Sequence, residues 1–306
     1  MAENSHIEWT HHTFNPWRGC TKVSEGCKFC YAETLSARNH ATLGVWGPKG
    51  SRPIAAESYW RQPLKWDRLA KESGERPRVF CASLADVFEG QETMPDDQWE
   101  GVVLARSRLF DLIEATQNLD WLLLTKRPEN VRGMTDIRWP DSLPDNLWIG
   151  TSVEDQKTAN ERIPHLLQVP TKVRFLSCEP LLGPVSLNIH LSGCGGSVFL
   201  DCLRGIEEWG TDDESDTSYS ENHIDWVIVG GESGKNARPM HPDWARSLRD
   251  QCQAAGVPFL FKQWGEWCPF PAHHLDGWTK MYRAGKARAG RTLDGKVWDE
   301  YPKDRA

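Results

Sequence analysis

The stretch LDWLLLTKR, residues 119–127, has the pattern that decides the fold. Its continuous apolar centre predicts a strand buried on both faces, and such strands occur in parallel sheets that helices cover. Thr125, Lys126 and Arg127 mark the end of this strand. A weaker first run lies near residues 7–15, and five more runs of the same kind follow along the chain: RVFCAS (78–83), NLWIGTSVE (146–154), KVRFLSCEP (172–180), IDWVIVGGES (224–233) and PFLFKQWGE (258–266).

Segments with helical patterns separate these runs. Thr93 is a candidate N-cap of one helix, and its apolar positions share one stripe: Trp99, Val102, Val103, Phe110 and Ile113. Two further helices are predicted over 155–168 and 241–256, the second of which ends at Gly256. Strands that alternate with helices predict an α/β fold with a mainly parallel sheet. About six to seven strands favour a partial or nearly closed (β/α) barrel.

The composition is that of a globular protein. The chain has 306 residues, a formal net charge of −7 and 26% charged residues, and it contains no apolar run long enough to cross a bilayer. The N-terminus has neither a basic start nor an apolar segment, so we predict no secretory signal and expect a cytoplasmic location. We expect a barrel over residues 1–268, with an acidic loop inserted at 183–223, and a small extension over 269–306.

Three of the nine cysteines lie close together after the first predicted strand, with the spacing C-x6-C-x2-C: Cys20, Cys27 and Cys30. In a reducing compartment such a group indicates metal ligands rather than disulfides. Thiolates suit zinc or an iron–sulfur cluster, and three of them can hold three corners of a cubane. A structural zinc site needs a fourth protein ligand, for which the candidates are His11, His12 and His40. Weaker candidates for a second cluster are Cys194 and Cys202.

The segment Cys27-Lys28-Phe29-Cys30 resembles the C-x-aromatic-C end of the radical S-adenosylmethionine (SAM) signature. This resemblance implies a [4Fe–4S] cluster held by Cys20, Cys27 and Cys30, with SAM bound to the fourth iron. The usual signature has three residues between its first two cysteines, whereas this chain has six. The chain also resembles a family of phage and bacterial proteins that contain a phage-derived domain of unknown function. That resemblance implies a radical-SAM-like barrel and rests on these segments: IEWTHHTFNPWRGCTKVSEGCKFCYAE (7–33), LLLTKRPEN (122–130) and VIVGGESG (227–234).

Polar residues follow most of the predicted strands. The carboxyl ends of parallel strands meet at one end of a barrel, so these residues are the candidate ligands. The candidates for cofactor binding are Ser83, Asp86, Lys126, Arg127, Ser152, Glu154, Gly230, Gly231 and Glu232. The candidates for catalysis are Cys178, Glu179 and Lys262. Salt bridges between neighbouring strand ends, and a core position for Cys178, are the alternative explanations.

Two of these groups have chemistry that suits SAM. Gly230-Gly231-Glu232 is similar to the Gly-Gly-Glu motif that pairs with the SAM amino group in radical SAM enzymes, although here it follows the sixth predicted strand. Lys126 and Arg127 suit a carboxylate or another anion.

These features predict an iron–sulfur enzyme that uses SAM for radical modification of an unknown substrate. The substrate is a small molecule, a nucleotide or a nucleic acid, but the net negative charge gives no support for a broad nucleic-acid surface. A reducing partner such as flavodoxin or ferredoxin is expected, and a membrane partner is not. The alternative is a non-enzymatic, zinc-stabilised binding module whose tryptophans and basic tail recognise a partner.

Overall fold

The structure is a computed structural model that describes residues 3–193, 196–211, 214–270 and 280–303. Its strands are β1 (His12–Thr13), β2 (Arg78–Cys81), β3 (Asp120–Thr125), β4 (Leu147–Ser152), β5 (Arg174–Cys178), β6 (Asn188–Gly193), β7 (Gly196–Asp201), β8 (Ile206–Thr211), β9 (Glu214–Tyr219), β10 (Trp226–Gly230), β11 (Phe259–Gln263), β12 (Trp267–Pro269), β13 (Met281–Arg283), β14 (Thr292–Leu293) and β15 (Lys296–Val297). Its helices are α1 (Tyr31–Ser36), α2 (His40–Leu43), α3 (Glu57–Trp60), α4 (Gln62–Ser73), α5 (Asp96–Ala115), α6 (Val131–Thr135), α7 (Gln156–Leu167), α8 (Pro242–Ala255) and α9 (Lys286–Ala289).

Seven strands form one parallel sheet in the order β1-β2-β3-β4-β5-β10-β11. Each apolar run found in the sequence supplies one of these strands, because continuous apolar residues bury both faces of a strand between helices. Trp121 in β3 and Trp226 in β10 are fully buried, and Trp226 pairs with Phe175 of β5. The sheet is open, with β1 and β11 at its edges. The predicted α/β class with partial-barrel topology is therefore confirmed.

The chain divides into two compact units: unit 1 comprises Met1–Gly150 and Val169–Lys172, and unit 2 comprises Thr151–Gln168 and Val173–Ala306. The predicted boundary at residue 268 is a different division and stays a prediction. In unit 1, α5 buries Val102, Leu109 and Ile113. Val103, which the sequence stripe included, is exposed because it lies one position round the helix from Val102. Thr93 does not cap α5, since Pro95 occupies the N-cap position and makes no side-chain cap bond.

In unit 2, the two predicted helices are present, and each has a residue that caps one of its ends. Asp155 caps α7 in a capping box, in which its side chain accepts from the Thr158 amide and the Thr158 side chain accepts from the Asp155 amide. α8 ends at Gly256, whose φ of +71° is the left-handed conformation that a helix C-cap requires.

The segment at 183–223 is not irregular in its described part, contrary to the expectation of an acidic loop. β6, β7, β8 and β9 pair as an antiparallel sheet. Ile189 and Leu200 are register partners and are both buried, whereas the adjacent His190 and Phe199 are exposed. The acidic composition concealed this two-residue alternation, which is what buries one face of a sheet.

The C-terminal part forms short antiparallel pairs, as expected for a small hairpin extension. β12 pairs with β13, and β14 pairs with β15. Residues 271–279 lie outside the described part of the chain. Across the described ranges, none of the helices combines the length and apolarity that a membrane span requires.

Candidate metal and cofactor site

The segment with the three cysteines is attached at its start to the chain that follows β2. The Gly19 amide donates to the Leu84 carbonyl at 2.9 Å, and residue 19 forms a parallel bridge with Ala85. Gly19 has a φ of +101°, and a Cβ at this position would lie 2.5 Å from the Ser51 carbonyl oxygen. Only glycine allows this approach. Cys20 is therefore fixed beside the end of β2.

The same backbone also holds the end of the cysteine segment. The Tyr31 hydroxyl donates to the Ser83 carbonyl at 2.7 Å. Asn15, just after β1, accepts from the Leu84 amide at 2.7 Å, and its Nδ2 donates to the Ser83 hydroxyl at 3.1 Å. Ser83, predicted to bind a cofactor, thus contacts Asn15 before the segment and Tyr31 at its end. The structure gives it a positioning contact.

Asp86 and Arg127 form a buried ion pair next to Cys20. The Asp86 carboxylate accepts from Arg127 Nη1 at 2.9 Å, from the Lys126 amide at 3.0 Å and from the Thr125 hydroxyl at 2.7 Å. Arg127 Nη1 lies 3.8 Å from Cys20 Sγ, and Nη2 donates to the Thr21 carbonyl at 2.8 Å. Both were predicted as cofactor ligands. Here they hold the cysteine segment, as the alternative of paired strand ends anticipated.

A second buried ion pair, between Arg52 and Glu89, was missed by the sequence analysis. Arg52 donates to Glu89 through Nε and Nη2, both at 2.8 Å, and neither side chain is exposed to solvent. Glu89 also accepts from the Thr21 amide at 2.9 Å. These residues lie in irregular segments that do not directly follow a strand in the sequence, although Glu89 lies 3.8 Å from Arg127. One sequence feature could have indicated Glu89: its carboxylate directly follows the apolar pair Val87-Phe88.

Different neighbouring groups affect the pKa values of the Cys20 and Cys30 thiols. Burial, together with the carboxylates of Asp86 and Glu89, raises the pKa of the Cys20 thiol, and Arg127 opposes this effect. Burial also raises the pKa of Cys30, whereas the backbone amides of Glu33 and Ala32 lower it. These amides belong to the first turn of α1, for which Cys30 is the N-cap residue.

Three arginines surround the carboxylates of this region. Burial would lower the pKa of Arg127, but Asp86, Cys20 and Glu89 raise it above its usual range. Arg106 donates to the carbonyls of Val87 and Glu89, and burial lowers its pKa to about 10, so it remains charged at neutral pH. Arg52, Arg106 and Arg127 carry three positive charges against the two negative charges of Asp86 and Glu89. Of these groups, Arg127 lowers the pKa of the Cys20 thiol, whereas Asp86 and Glu89 raise it.

Cys20, Cys27 and Cys30 are free and partly exposed, and soft thiols of this kind are the ligands of an iron–sulfur cluster. Among the described residues, no three side chains of His, Cys, Asp and Glu are grouped to hold a single ion. A cubane spaces its thiolates more widely than one tetrahedral ion does. The donor chemistry of the three thiols therefore fits a cluster.

The histidines considered as zinc ligands have other contacts or lie on the surface. His11 Nδ1 accepts from the Arg78 amide at 2.9 Å, and the His12 ring stacks on Trp66 with centroids 4.3 Å apart. His40 is exposed in α2. Cys194 lies outside the described residues, and Cys202 is buried.

Unit 2 contains a separate polar cluster at the ends of β5 and β11. Lys262 Nζ lies 2.6 and 2.8 Å from the two carboxylate oxygens of Glu179, and Gln263 Nε2 donates to Glu179 at 3.0 Å. Gln263 is buried, and its Oε1 has no hydrogen-bond partner. A Cβ at Gly230 would lie 3.2 Å from the Glu179 carboxylate, so the glycine makes room for it. This cluster joins two of the predicted catalytic residues.

Gly231 and Glu232 have structural contacts that the motif did not suggest. A Cβ at Gly231 would lie 2.0 Å from the Trp264 carbonyl oxygen, so this position requires close backbone approach. Both Glu232 oxygens accept from the Arg238 guanidinium, at 2.7 and 2.9 Å, and Oε2 also accepts from the Arg238 amide. The Glu232 carboxylate therefore already has a cationic partner.

The remaining predicted residues of unit 2 are buried. Arg162 Nη1 donates to the Ser152 carbonyl at 2.7 Å and to Glu154 at 2.8 Å. Cys178 is fully buried in β5, and burial raises the pKa of its thiol. This environment is that of a small core residue, the alternative considered for it.

The fold and the cysteine segment together define an α/β protein with partial-barrel topology and a potential metal centre after its first strand. The chain belongs to the family described as "Protein of unknown function (DUF5131)", which it matches over residues 4–302. No curated protein matches it. Among solved structures it is similar to a mutant spore photoproduct lyase, with 13% sequence identity and a TM-score of 0.40 over 59% of this chain and 48% of that chain. The chain thus spans about half the length of that protein.

Proposed function

We propose that this protein is an enzyme that holds a [4Fe–4S] cluster through Cys20, Cys27 and Cys30 and uses it with SAM to modify a substrate. The observation that carries the proposal is the attachment of a three-thiol segment to the end of β2, with Arg127 Nη1 3.8 Å from Cys20 Sγ. A cluster bound there would supply one electron to SAM and so give access to radical chemistry. The substrate is a small molecule, a nucleotide or a nucleic acid.

The chain's own residues have distinct tasks in this proposal. Asp86 and Glu89 fix the Arg127 and Arg52 guanidinium groups in the protein interior. Arg127 then places positive charge beside Cys20, which stabilises a thiolate and tunes the electron affinity of a centre bound to it. Ser83 and Tyr31 hold the end of the segment. These are positioning residues.

We further propose that Glu179, Lys262 and Gln263 bind a polar group of the substrate. The support is the unpartnered Gln263 Oε1 beside a half-buried ion pair, because buried polar atoms normally have a hydrogen-bond partner. Lys262 can donate to an anionic group, and Gln263 Oε1 can accept from an N–H or O–H. Glu179 holds both side chains in place.

Anaerobic reconstitution with iron and sulfide tests the metal centre. The wild-type chain is expected to bind about four irons and four sulfides and to absorb broadly in the visible range. Cys27→Ala should abolish this absorption, whereas Cys252→Ala, a change at a buried thiol in α8, should leave it intact. Zinc without iron–sulfur absorption, or equal losses from both variants, would contradict the ligand assignment.

Incubation of the reconstituted protein with SAM and a reductant tests the reaction class. Cleavage products of the SAM sulfonium are expected, and their formation should depend on Cys27. Lys262→Met should leave the iron content unchanged and weaken substrate use, because it removes the ammonium group that lies beside Glu179 in unit 2. A loaded cluster that never cleaves SAM would instead indicate an electron-transfer or sensing protein.

A further inference from the structure

Two consecutive side chains at the end of β11 turn toward the same carboxylate in unit 2. Lys262 Nζ and Gln263 Nε2 both donate to Glu179 Oε1, at 2.8 and 3.0 Å. Consecutive residues of a regular strand point to opposite faces of the sheet. Here the register between β10 and β11 shifts after Val229, and Lys262 is an extra residue on β11. Bulges redirect side chains and are over-represented at sheet edges and next to active sites.

The neighbours of Gln263 determine which way its amide faces. A carboxylate only accepts hydrogen bonds, so the amide nitrogen must face Glu179. Nε2 also donates to the Ser233 hydroxyl oxygen at 3.2 Å. The amide oxygen, Oε1, is therefore turned away from the carboxylate, and it has no hydrogen-bond partner in the part of the chain that the structure describes. Gln263 is only 4% exposed, so this oxygen is a buried acceptor that requires a donor.

The Lys262 ammonium has one donor more than Glu179 uses. It carries three N–H groups, and its contacts with the two Glu179 oxygens, at 2.6 and 2.8 Å, occupy two of them. Among the described residues, Nζ has no third acceptor. The Lys262 and Glu179 side chains are 13% and 20% exposed, so a ligand can approach this pair from solvent.

The charges of Glu179 and Lys262 balance each other, which limits the ligand that fits beside them. An anion or a cation would add an unpaired charge to a mostly buried site, and such a charge is costly. The ligand is therefore neutral, with a donor for Gln263 Oε1 and an acceptor for Lys262. An amide edge has both groups on neighbouring atoms of one plane, and this rigidity lowers the entropy lost on binding.

In the proposed function these residues bind a polar group of the substrate, and on that basis we propose that the group is a neutral amide or lactam edge. Its N–H donates to Gln263 Oε1, and its C=O accepts from Lys262 Nζ. Two kinds of molecule carry such an edge: a nucleobase with a lactam, such as uracil, and a carboxamide.

Ligand-observed NMR titration of the reconstituted full chain tests this assignment with uridine, nicotinamide and their N-methylated forms, 3-methyluridine and N,N-dimethylnicotinamide. At least one unmethylated probe is expected to bind, and its methylated form should bind about ten-fold more weakly, because it leaves Gln263 Oε1 without a donor. Comparison of uridine with nicotinamide shows which source of the edge is preferred. Since no metal takes part in these contacts, Cys27→Ala should bind the probes like wild type. A failure of SAM cleavage would therefore leave this result unchanged.

Variants assign the contact to Gln263. Gln263→Leu should weaken binding of the unmethylated probe about ten-fold and abolish its advantage over the methylated form. The control Gln253→Leu removes an exposed glutamine of α8 that also donates to a carboxylate, that of Glu300 at 3.0 Å, and it should bind like wild type. The comparison of probes on the wild-type chain stands even where a variant fails to fold.

Several results would overturn the proposal. These are equal binding of methylated and unmethylated probes, no binding of either unmethylated probe, and probe binding that disappears in Cys27→Ala. Tighter binding of nicotinate than of nicotinamide would show that the site takes an anion. Glycerol that binds as tightly as the amides would show that hydroxyl groups suffice.

Discussion

The buried Glu89 carboxylate offers the sharpest test of how the cysteine segment is held. Glu89→Gln keeps the shape of the side chain but removes its charge, while Arg52 remains buried with no compensating anion. Removal of one partner from a buried pair costs about 3–5 kcal/mol. Native proteins have only about 5–15 kcal/mol of stability, so this loss is large. It should be visible in urea denaturation followed by tryptophan fluorescence.

The same substitution should reduce metal binding. Glu89 accepts from the Thr21 amide, and Thr21 is the residue after Cys20. A weaker acceptor at Glu89 loosens this backbone, so the iron content after reconstitution should fall at temperatures where the variant is still folded.

Two control variants test whether the loss of stability comes from the buried charge that Glu89→Gln leaves unpaired. Asp145→Asn disrupts the exposed Lys172–Asp145 pair and should cost about 0–1 kcal/mol. Glu89→Leu/Arg52→Met removes both charges and should be less destabilising than Glu89→Gln, because no buried charge is left alone. A loss below about 1 kcal/mol for Glu89→Gln, or a double variant that is worse than the single one, would refute this reasoning.

Three further predictions concern packing, capping and pH. Gly231→Ala should lower the free energy of unfolding by about 1–3 kcal/mol, because its Cβ would lie 2.0 Å from the Trp264 carbonyl oxygen. The control Gly101→Ala in α5, where the added Cβ has open space, should raise the free energy of unfolding by about 0.5–1 kcal/mol. Urea midpoints compare the two, and a stabilised Gly231→Ala would contradict the packing argument. Asp155→Ala should lower the free energy of unfolding by about 0.5–2 kcal/mol, because it removes the cap of α7, and unchanged urea denaturation would show that the capping box contributes nothing. Burial, with a contribution from His11, lowers the pKa of the His12 ring. The free energy of unfolding that depends on a neutral His12 is therefore fully present above about pH 6.5 and is lost as the pH falls through the folded-state pKa. His12→Phe should therefore flatten the fall in stability between pH 7 and pH 5, and identical slopes for variant and wild type would disprove the assignment.

The strands could be predicted because their signal is local. Runs such as LDWLLLTKR combine continuous apolar residues with polar ends, and this pattern is sufficient to place a buried parallel strand. The sheet formed by β6 to β9 was missed because polar residues interrupt the apolar positions of its six-residue strands, and only pairing across the sheet shows which side chains are buried. Ile189 and Leu200 meet across strands but are eleven positions apart in the chain.

The candidate site was predictable only as a set of positions. The strand ends drew attention to Asp86 and Arg127, but the sequence contains no information that pairs them with each other rather than with a ligand. Arg52 and Glu89 were not considered, because their partnership joins two irregular segments 37 residues apart. The Gly-Gly-Glu motif suggested a cofactor, whereas Gly231 fits against the Trp264 carbonyl and Glu232 against Arg238. The Gly231 contact depends on close approach of backbone that is distant in the sequence, whereas Glu232 forms an ion pair with a residue only six positions away.

The long first interval of the cysteine motif is compatible with a defined site because both ends of the segment are fixed to the same place. Gly19, just before Cys20, bonds to Leu84, and Tyr31, just after Cys30, bonds to Ser83. The six residues between Cys20 and Cys27 therefore form an excursion between two fixed ends, and extra length adds little to the entropy of closing such a loop. The position of Cys20 depends on Gly19 and the buried ion pairs rather than on the length of this interval. Spacing between cysteines is for this reason a weaker criterion for the proposed cluster than the contacts that hold its first and last ligands.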